Sequence, residues 1–262
     1  MTVVDEQVEE TSTRRPPWWL APARWWRELL IIGVVYGLYT VIQRHINVSP
    51  VPAMRNSTGI LDLERQLGIA IEPSLNHFLV GYPWLAVAAN CWYILMHEIA
   101  TPAVIFWIFR WHRDRYPYAR FMLAVPTLIG FTLFYVVPVA PPRLLPASGE
   151  VDTLSRFASP GSYGDGAMAH TAAQFAAFPS LHIAWSLWCG AMICWLVRRW
   201  YVRVLAVCYP CTTALVVLVT GNHYIVDIIG GITVFVFGVS LLWLFRPADE
   251  VFVRAEPVTE SS

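Results

Sequence analysis

The segment Gly221-Asn222-His223-Tyr224-Ile225-Val226-Asp227 sets an imidazole and a carboxylate four residues apart at the mouth of a long apolar stretch. Residues at i and i+4 share one helix face, so Asp227 can reach the ring of His223. A histidine held by a carboxylate is the oriented half of a general-base or nucleophile pair. A carboxylate in a membrane helix costs about 3 kcal/mol on insertion scales, so its retention there marks function. Upstream lie Arg143, in Pro141-Pro142-Arg143, and then Ser180, Leu181 and His182 at the start of another apolar run. Pro179 and Ser180 are helix-start residues, and the first N–H groups of a helix favour anions, phosphate above all. Two histidines, a guanidinium and a helix N-terminus suit a phosphoryl group. Arg143 would pair with its oxygens, one histidine would attack, and the other would protonate the leaving oxygen.

Composition says where this set sits. The chain of 262 residues is 56% hydrophobic and 14% charged, with 13 Trp and a mean hydropathy of +0.50. Soluble domains carry about a quarter charged residues, so this is a membrane composition. Net charge is zero, and no basic tract is interleaved with aromatics, which argues against nucleic acid as a partner. Residues 1 to 13 are acidic and polar and lack the pattern of a cleaved signal.

Six runs are long and apolar enough to cross a bilayer: 26 to 46, 82 to 111, 121 to 138, 181 to 197, 201 to 220 and 224 to 245. Pro102 leaves the second open as one long kinked helix or a short hairpin. All 18 basic residues are Arg; thirteen flank the runs on one side of the membrane and five on the other. The positive-inside rule then makes both termini cytoplasmic, favours an unbroken second span, and faces the loops 47 to 81 and 139 to 180 outward. The expected fold is an all-α, six-helix membrane bundle over 26 to 246, with cytoplasmic tails 1 to 25 and 247 to 262 and an extracytoplasmic site.

Between the first two runs, Leu61, Leu63, Leu67, Ile69 and Ile71 alternate with Asp62, Glu64, Arg65, Gln66 and Glu72. This predicts a short amphipathic helix, lying either on the bilayer surface or against the rest of the protein. Cys91, Cys189, Cys194, Cys208 and Cys211 all fall inside predicted spans, where they read as small apolar residues. Asn90, Tyr93 and His97 share one face of the second span, where they line a head-group pocket or hydrogen-bond between helices. Arg156, in the second loop, is a further cation for the same pocket. A metal held by His223 and Asp227 lacks further ligands, because the chain has no HExxH string and no cysteine cluster.

The segments VAPPRLLP, FPSLHIAW and GNHYIVDIIGG, in that order, resemble the type 2 phosphatidic acid phosphatase superfamily. They are most similar to its aureobasidin-resistance branch, which includes inositol phosphorylceramide synthases. The resemblance implies six helices, an outward-facing site and no metal or other cofactor. It makes His223 the nucleophile that forms a phosphohistidine, Asp227 its orienting partner, and His182 the acid that protonates the departing alcohol. Arg143, Ser180 and the N–H of Leu181 would hold the phosphate.

Three departures bear on substrate. Val216 and Val217 stand where the phosphatases carry a serine-arginine pair, Leu181 replaces a glycine, and the chain has no lysine for the first motif. A site with fewer cations suits a phosphodiester, with one negative charge, better than a monoester with nearly two. The resulting expectation is a plasma-membrane enzyme acting on a phospholipid or polyprenyl phosphate. It is a phosphatase if water is the acceptor, and a head-group transferase of the inositolphosphotransferase kind if a lipid or polyprenol hydroxyl is. A transporter or flippase using Asp227 and His97 as a path is the rival from another class, though no inverted repeat accompanies it.

Overall fold

Long apolar runs satisfy their backbone within a bilayer only as helices or closed barrels, and this chain folds its runs as helices. The computed structural model describes residues 24–31, 33, 34, 37, 50–157 and 172–245. Among them no strand forms, and extended pairing is confined to an isolated bridge between Val139 and Ala176. The helices are α1 (Pro50–Leu67), α2 (Glu72–Val80), α3 (Pro83–Trp111), α4 (Tyr116–Val136), α5 (Leu181–Leu196), α6 (Trp200–Val219) and α7 (Ile225–Phe245). A single turn, Thr153–Arg156, interrupts the loop before α5.

Helices α3, α4, α6 and α7 are long and apolar enough to span a membrane, and α5 is apolar but only 16 residues long. The chain is therefore a multi-pass membrane protein. Exposed Phe106, Leu205, Val236 and Leu244 cover the outer faces of these helices. The expected second span is one continuous helix with Pro102 inside it, so the hairpin alternative falls. The third begins at Tyr116 rather than at Phe121, because Pro117 fits a helix first turn and Arg120 is not a loop residue. Arg120 pairs with Glu28, whose other oxygen accepts from the Tyr116 hydroxyl at 2.9 Å. Glu28 belongs to the start of the expected first span, of which only residues up to 31, with 33, 34 and 37, are described.

Helix α5 is the centre of the bundle and packs on α3, α4, α6 and α7. Its fully buried Trp188 lies among Ile108, Met192 and Leu242, and the indole N–H donates to the Ala119 carbonyl at 2.9 Å. Close approach of α6 depends on Gly190, where a Cβ would come within 2.6 Å of the Ala206 carbonyl oxygen.

The amphipathic helix is longer than expected and packs on the protein. Ala53, Ser57, Leu61 and Glu64 form one buried face of α1, at the i, i+4 spacing of a helix stripe. Leu61 enters a core with Val139, Leu145, Ala177 and Tyr224. Ser57 accepts the Ala140 N–H at 2.9 Å, fastening the loop that carries Arg143 to α1. Gly68, at φ 68°, ends α1 in the left-handed conformation that suits glycine. All five cysteines are free and lie in helices.

Candidate active site

Two helix starts meet at one depth. His182 is the second residue of α5, and His223 stands two residues before α7. Their ring centroids are 5.6 Å apart with planes inclined at 63°. His223 Nδ1 lies 3.3 Å from Asp227 Oδ2, and the same oxygen accepts the Tyr224 N–H at 2.9 Å. Asp227 thus reaches back over its own first turn, as the third residue of a capping box does, while it orients the imidazole. Both side chains are buried, Asp227 fully.

With Nδ1 on the carboxylate, His223 presents Nε2. This atom, His182 Nε2 and Ser180 Oγ are all buried and have no hydrogen-bond partner. Buried polar atoms are normally satisfied, so three such atoms at two adjoining helix starts mark a candidate polar ligand site. Ser180 precedes α5 without capping it through its side chain, and its N–H donates to the Asp227 carbonyl at 3.0 Å. The two helix starts are thereby tied together. That contact requires Gly231, where a Cβ would fall 2.4 Å from the Ser180 carbonyl oxygen. Leu181 turns its side chain against Gly130, and as the first helical residue its N–H has no acceptor within the helix.

Arg143 sits in a short 3-10 turn, Pro142–Leu144, beside the loop that carries His223. Its N–H donates to the Gly221 carbonyl at 2.9 Å, its Nε to Asn222 Oδ1 at 3.0 Å, and a terminal nitrogen lies 3.1 Å from Asp152 Oδ2. Gly221 has φ 71°, and a Cβ there would crowd Glu150 Oε2 and the Arg143 Cβ. Glycine is what lets these loops close on each other.

The expected pocket residues divide. Tyr93 stacks on His182 with centroids 4.4 Å apart, and His97 meets the same ring edge-on at 4.3 Å. His97 Nδ1 lies 3.0 Å from the Tyr93 carbonyl and Nε2 lies 3.2 Å from Glu98 Oε1. Asn90 instead exchanges hydrogen bonds with Thr153, at 3.0 and 2.9 Å, and so holds the Thr153–Arg156 turn against α3. Arg156 is exposed, with its guanidinium over the Phe157 ring.

The motifs give no hint of Glu64 and Glu72, which accept the Val226 and Ile225 N–H groups at 2.8 and 2.9 Å. Burial, with the neighbouring Glu72 carboxylate, pushes Glu64 up to about 8, and burial likewise pushes Glu150 up to about 8. A signal for Glu64 was present, since it continues the Ser57–Leu61 face of an otherwise apolar stripe. Nothing local marks Glu72. Among the described residues no group of three His, Cys, Asp or Glu side chains could hold a metal ion.

Comparison with known proteins gives this geometry a family. A model described as the PAP2 superfamily matches residues 58–241, which contain all three motifs. The chain is 26% identical, over 242 residues, to a protein named phosphoinositol dihydroceramide synthase from Bacteroides thetaiotaomicron; the match covers 82% of this chain and 73% of the relative. No solved structure matches significantly. With most of its length and its paired histidines inside the matched region, the chain belongs to the PAP2 superfamily.

Proposed function

We propose that this membrane enzyme cleaves lipid-linked phosphate esters through a phosphohistidine at His223. The observation that carries this reading is the close pair of His182 and His223 rings, centroids 5.6 Å apart, whose buried Nε2 atoms, like Ser180 Oγ, have no partner. His223 Nε2 attacks phosphorus in line, and the bond from phosphorus to the alkoxy oxygen breaks. That oxygen takes a proton from His182. Water or an alcohol then enters, gives its proton to His182, and receives the phosphoryl group as the bond to Nε2 breaks. Asp227 stabilises the charged ring of His223 throughout. Arg143, beside the loop, and the N–H of Leu181 draw in the phosphate oxygens. No step calls for a metal.

The relative's name favours an alcohol acceptor and a phosphodiester donor, which makes the enzyme a head-group transferase of the inositolphosphotransferase kind. In this reading six spans leave both termini in the cytoplasm and open the site at the extracytoplasmic face of a plasma membrane. An apolar groove between α5, α6 and α7, lined by Ile183, Gly190, Pro210, Ile228 and Ile232, takes an alkyl chain beside the catalytic residues.

The test is purified protein in detergent with lipid phosphomonoesters and phosphodiesters, with and without EDTA and a hydroxyl-bearing lipid, beside His223→Ala. Release of inorganic phosphate that survives EDTA and is lost in the variant supports a phosphatase. A new phosphodiester formed only with the lipid alcohol supports the transferase. Folded protein that yields neither product overturns the reading.

A further inference from the structure

We infer that Glu64 and Glu72 are positioning residues for catalysis, two carboxylates from the α1–α2 arm that clamp the N-terminus of α7 and thereby set the His223–Asp227 pair. The inference rests on the functional reading above for its catalytic consequence.

A helix leaves its first N–H groups without intrahelical acceptors, and a serine, threonine, aspartate or asparagine at the cap normally supplies one. Here the residue before α7 is Tyr224, whose side chain cannot reach back as a cap. Three carboxylates from three parts of the chain do the work instead. Asp227 takes the Tyr224 N–H, Glu72 the Ile225 N–H and Glu64 the Val226 N–H, at 2.9, 2.9 and 2.8 Å. The partial positive charge of the helix start favours these acceptors. Two of them come from residues 162 and 153 positions away, so α1 and α2 hold the catalytic turn directly.

The clamp depends on a proton. Glu64 and Glu72 are fully buried, and Oε2 of each lacks a hydrogen-bond partner. Burial, together with the neighbouring Glu72 charge, favours the protonated form of Glu64. The groups around them are Glu150, Asp227 and Tyr224, and the nearby cation Arg143 already faces Asp152. Glu64, raised to about 8, therefore keeps its proton at neutral pH. Loss of that proton sets two anions against each other beneath the nucleophile and loosens both caps.

Glu64→Gln keeps an oxygen for Val226 and replaces the Glu64 carboxyl with an amide that cannot ionise. Glu64→Leu and Glu72→Leu remove the acceptors. The leucine variants are expected to lose turnover about tenfold or more with KM unchanged, since an orphaned buried N–H costs enough to displace the turn. Glu64→Gln is expected to keep turnover near neutral pH. Its rate relative to the unaltered protein should be flat below about pH 7 and climb through about pH 8, a ratio in which every other titrating group cancels. Amide exchange at 224–226 supplies a readout that needs no substrate: protected in the unaltered protein and in Glu64→Gln, fast in Glu64→Leu. Equal exchange in all three overturns the clamp. A flat activity ratio across pH overturns its proton dependence. Unaltered protein that turns over no lipid phosphate fails the functional reading instead, and exchange still decides the clamp.

Discussion

The ring of His97 stands edge-on to that of His182, with centroids 4.3 Å apart, and its own nitrogens are both engaged. The Tyr93 carbonyl can only accept, so Nδ1 carries a hydrogen. Nε2 lies 3.2 Å from Glu98 Oε1. A carboxylate therefore stands behind the ring that meets the proposed general acid. Glu98→Gln removes that carboxylate. Cleavage of an alkyl phosphate ester, whose leaving group needs protonation, should slow about tenfold, while an activated nitrophenyl ester is spared. Single-turnover kinetics with the two esters check it.

The same pair of esters tests His182. His182→Gln should lower alkyl ester cleavage by about two to four orders of magnitude and aryl ester cleavage far less, because a nitrophenolate departs without a proton. Equal losses on both would assign His182 to binding.

Asp227→Asn removes an acceptor that serves two donors, the His223 ring and the Tyr224 N–H. An amide nitrogen facing Nδ1 favours the wrong tautomer, so turnover should fall by about four orders of magnitude, as it does when the aspartate of a serine protease triad is replaced. Trapping the phosphoenzyme after acid quench, then comparing its amount in both proteins, measures the step affected.

Glycine positions along α7 should differ in tolerance. An alanine Cβ at Gly231 would lie 2.4 Å from the Ser180 carbonyl oxygen, a backbone atom fixed by α5, whereas at Gly238 it would meet Pro126 at 3.1 Å. Gly231→Ala should destabilise by about 1–3 kcal/mol and reduce activity, and Gly238→Ala by less. Thermal unfolding in detergent compares them.

Rising pH should loosen the end of the molecule that carries Glu150. Burial, followed by the Glu72 and Glu64 charges, raises Glu150 from an ordinary 4.5 to about 8. A group whose folded value is raised contributes stability that is complete below its unfolded value and disappears as pH climbs through the folded one. The unfolding temperature should therefore fall as pH rises from about 4.5 to about 8, and Glu150→Gln should flatten part of that slope.

What the chain disclosed beforehand follows from interaction range. Hydropathy marks helices such as α6 and α7 because each is apolar along its whole length, and the His223–Asp227 contact is one helical turn long. Arg143 could be assigned to the site only through its motif, since its bonds to Gly221 and Asn222 cross nearly 80 residues. Glu64 stands among the polar residues Asp62, Arg65 and Gln66, and although it continues the buried face of Ser57 and Leu61, its partner on α7 lies 162 residues away. Asn90 illustrates the converse. A polar residue inside a span stands out in the sequence, yet its bonds to Thr153 engage it in holding a loop.

Helix α5, with its 16 residues, rises about 24 Å, short of the roughly 30 Å of hydrocarbon in an ordinary bilayer. His182 and His223 sit at one end of that short helix, so a bilayer thicker than α5 would hold their rings beneath the level of the lipid phosphates. A substrate would then have to sink toward them, or the leaflet dimple to deliver it. Membrane thickness then becomes a rate-setting quantity, with short-chain host lipids quickening the enzyme and long-chain lipids slowing it although no residue has changed.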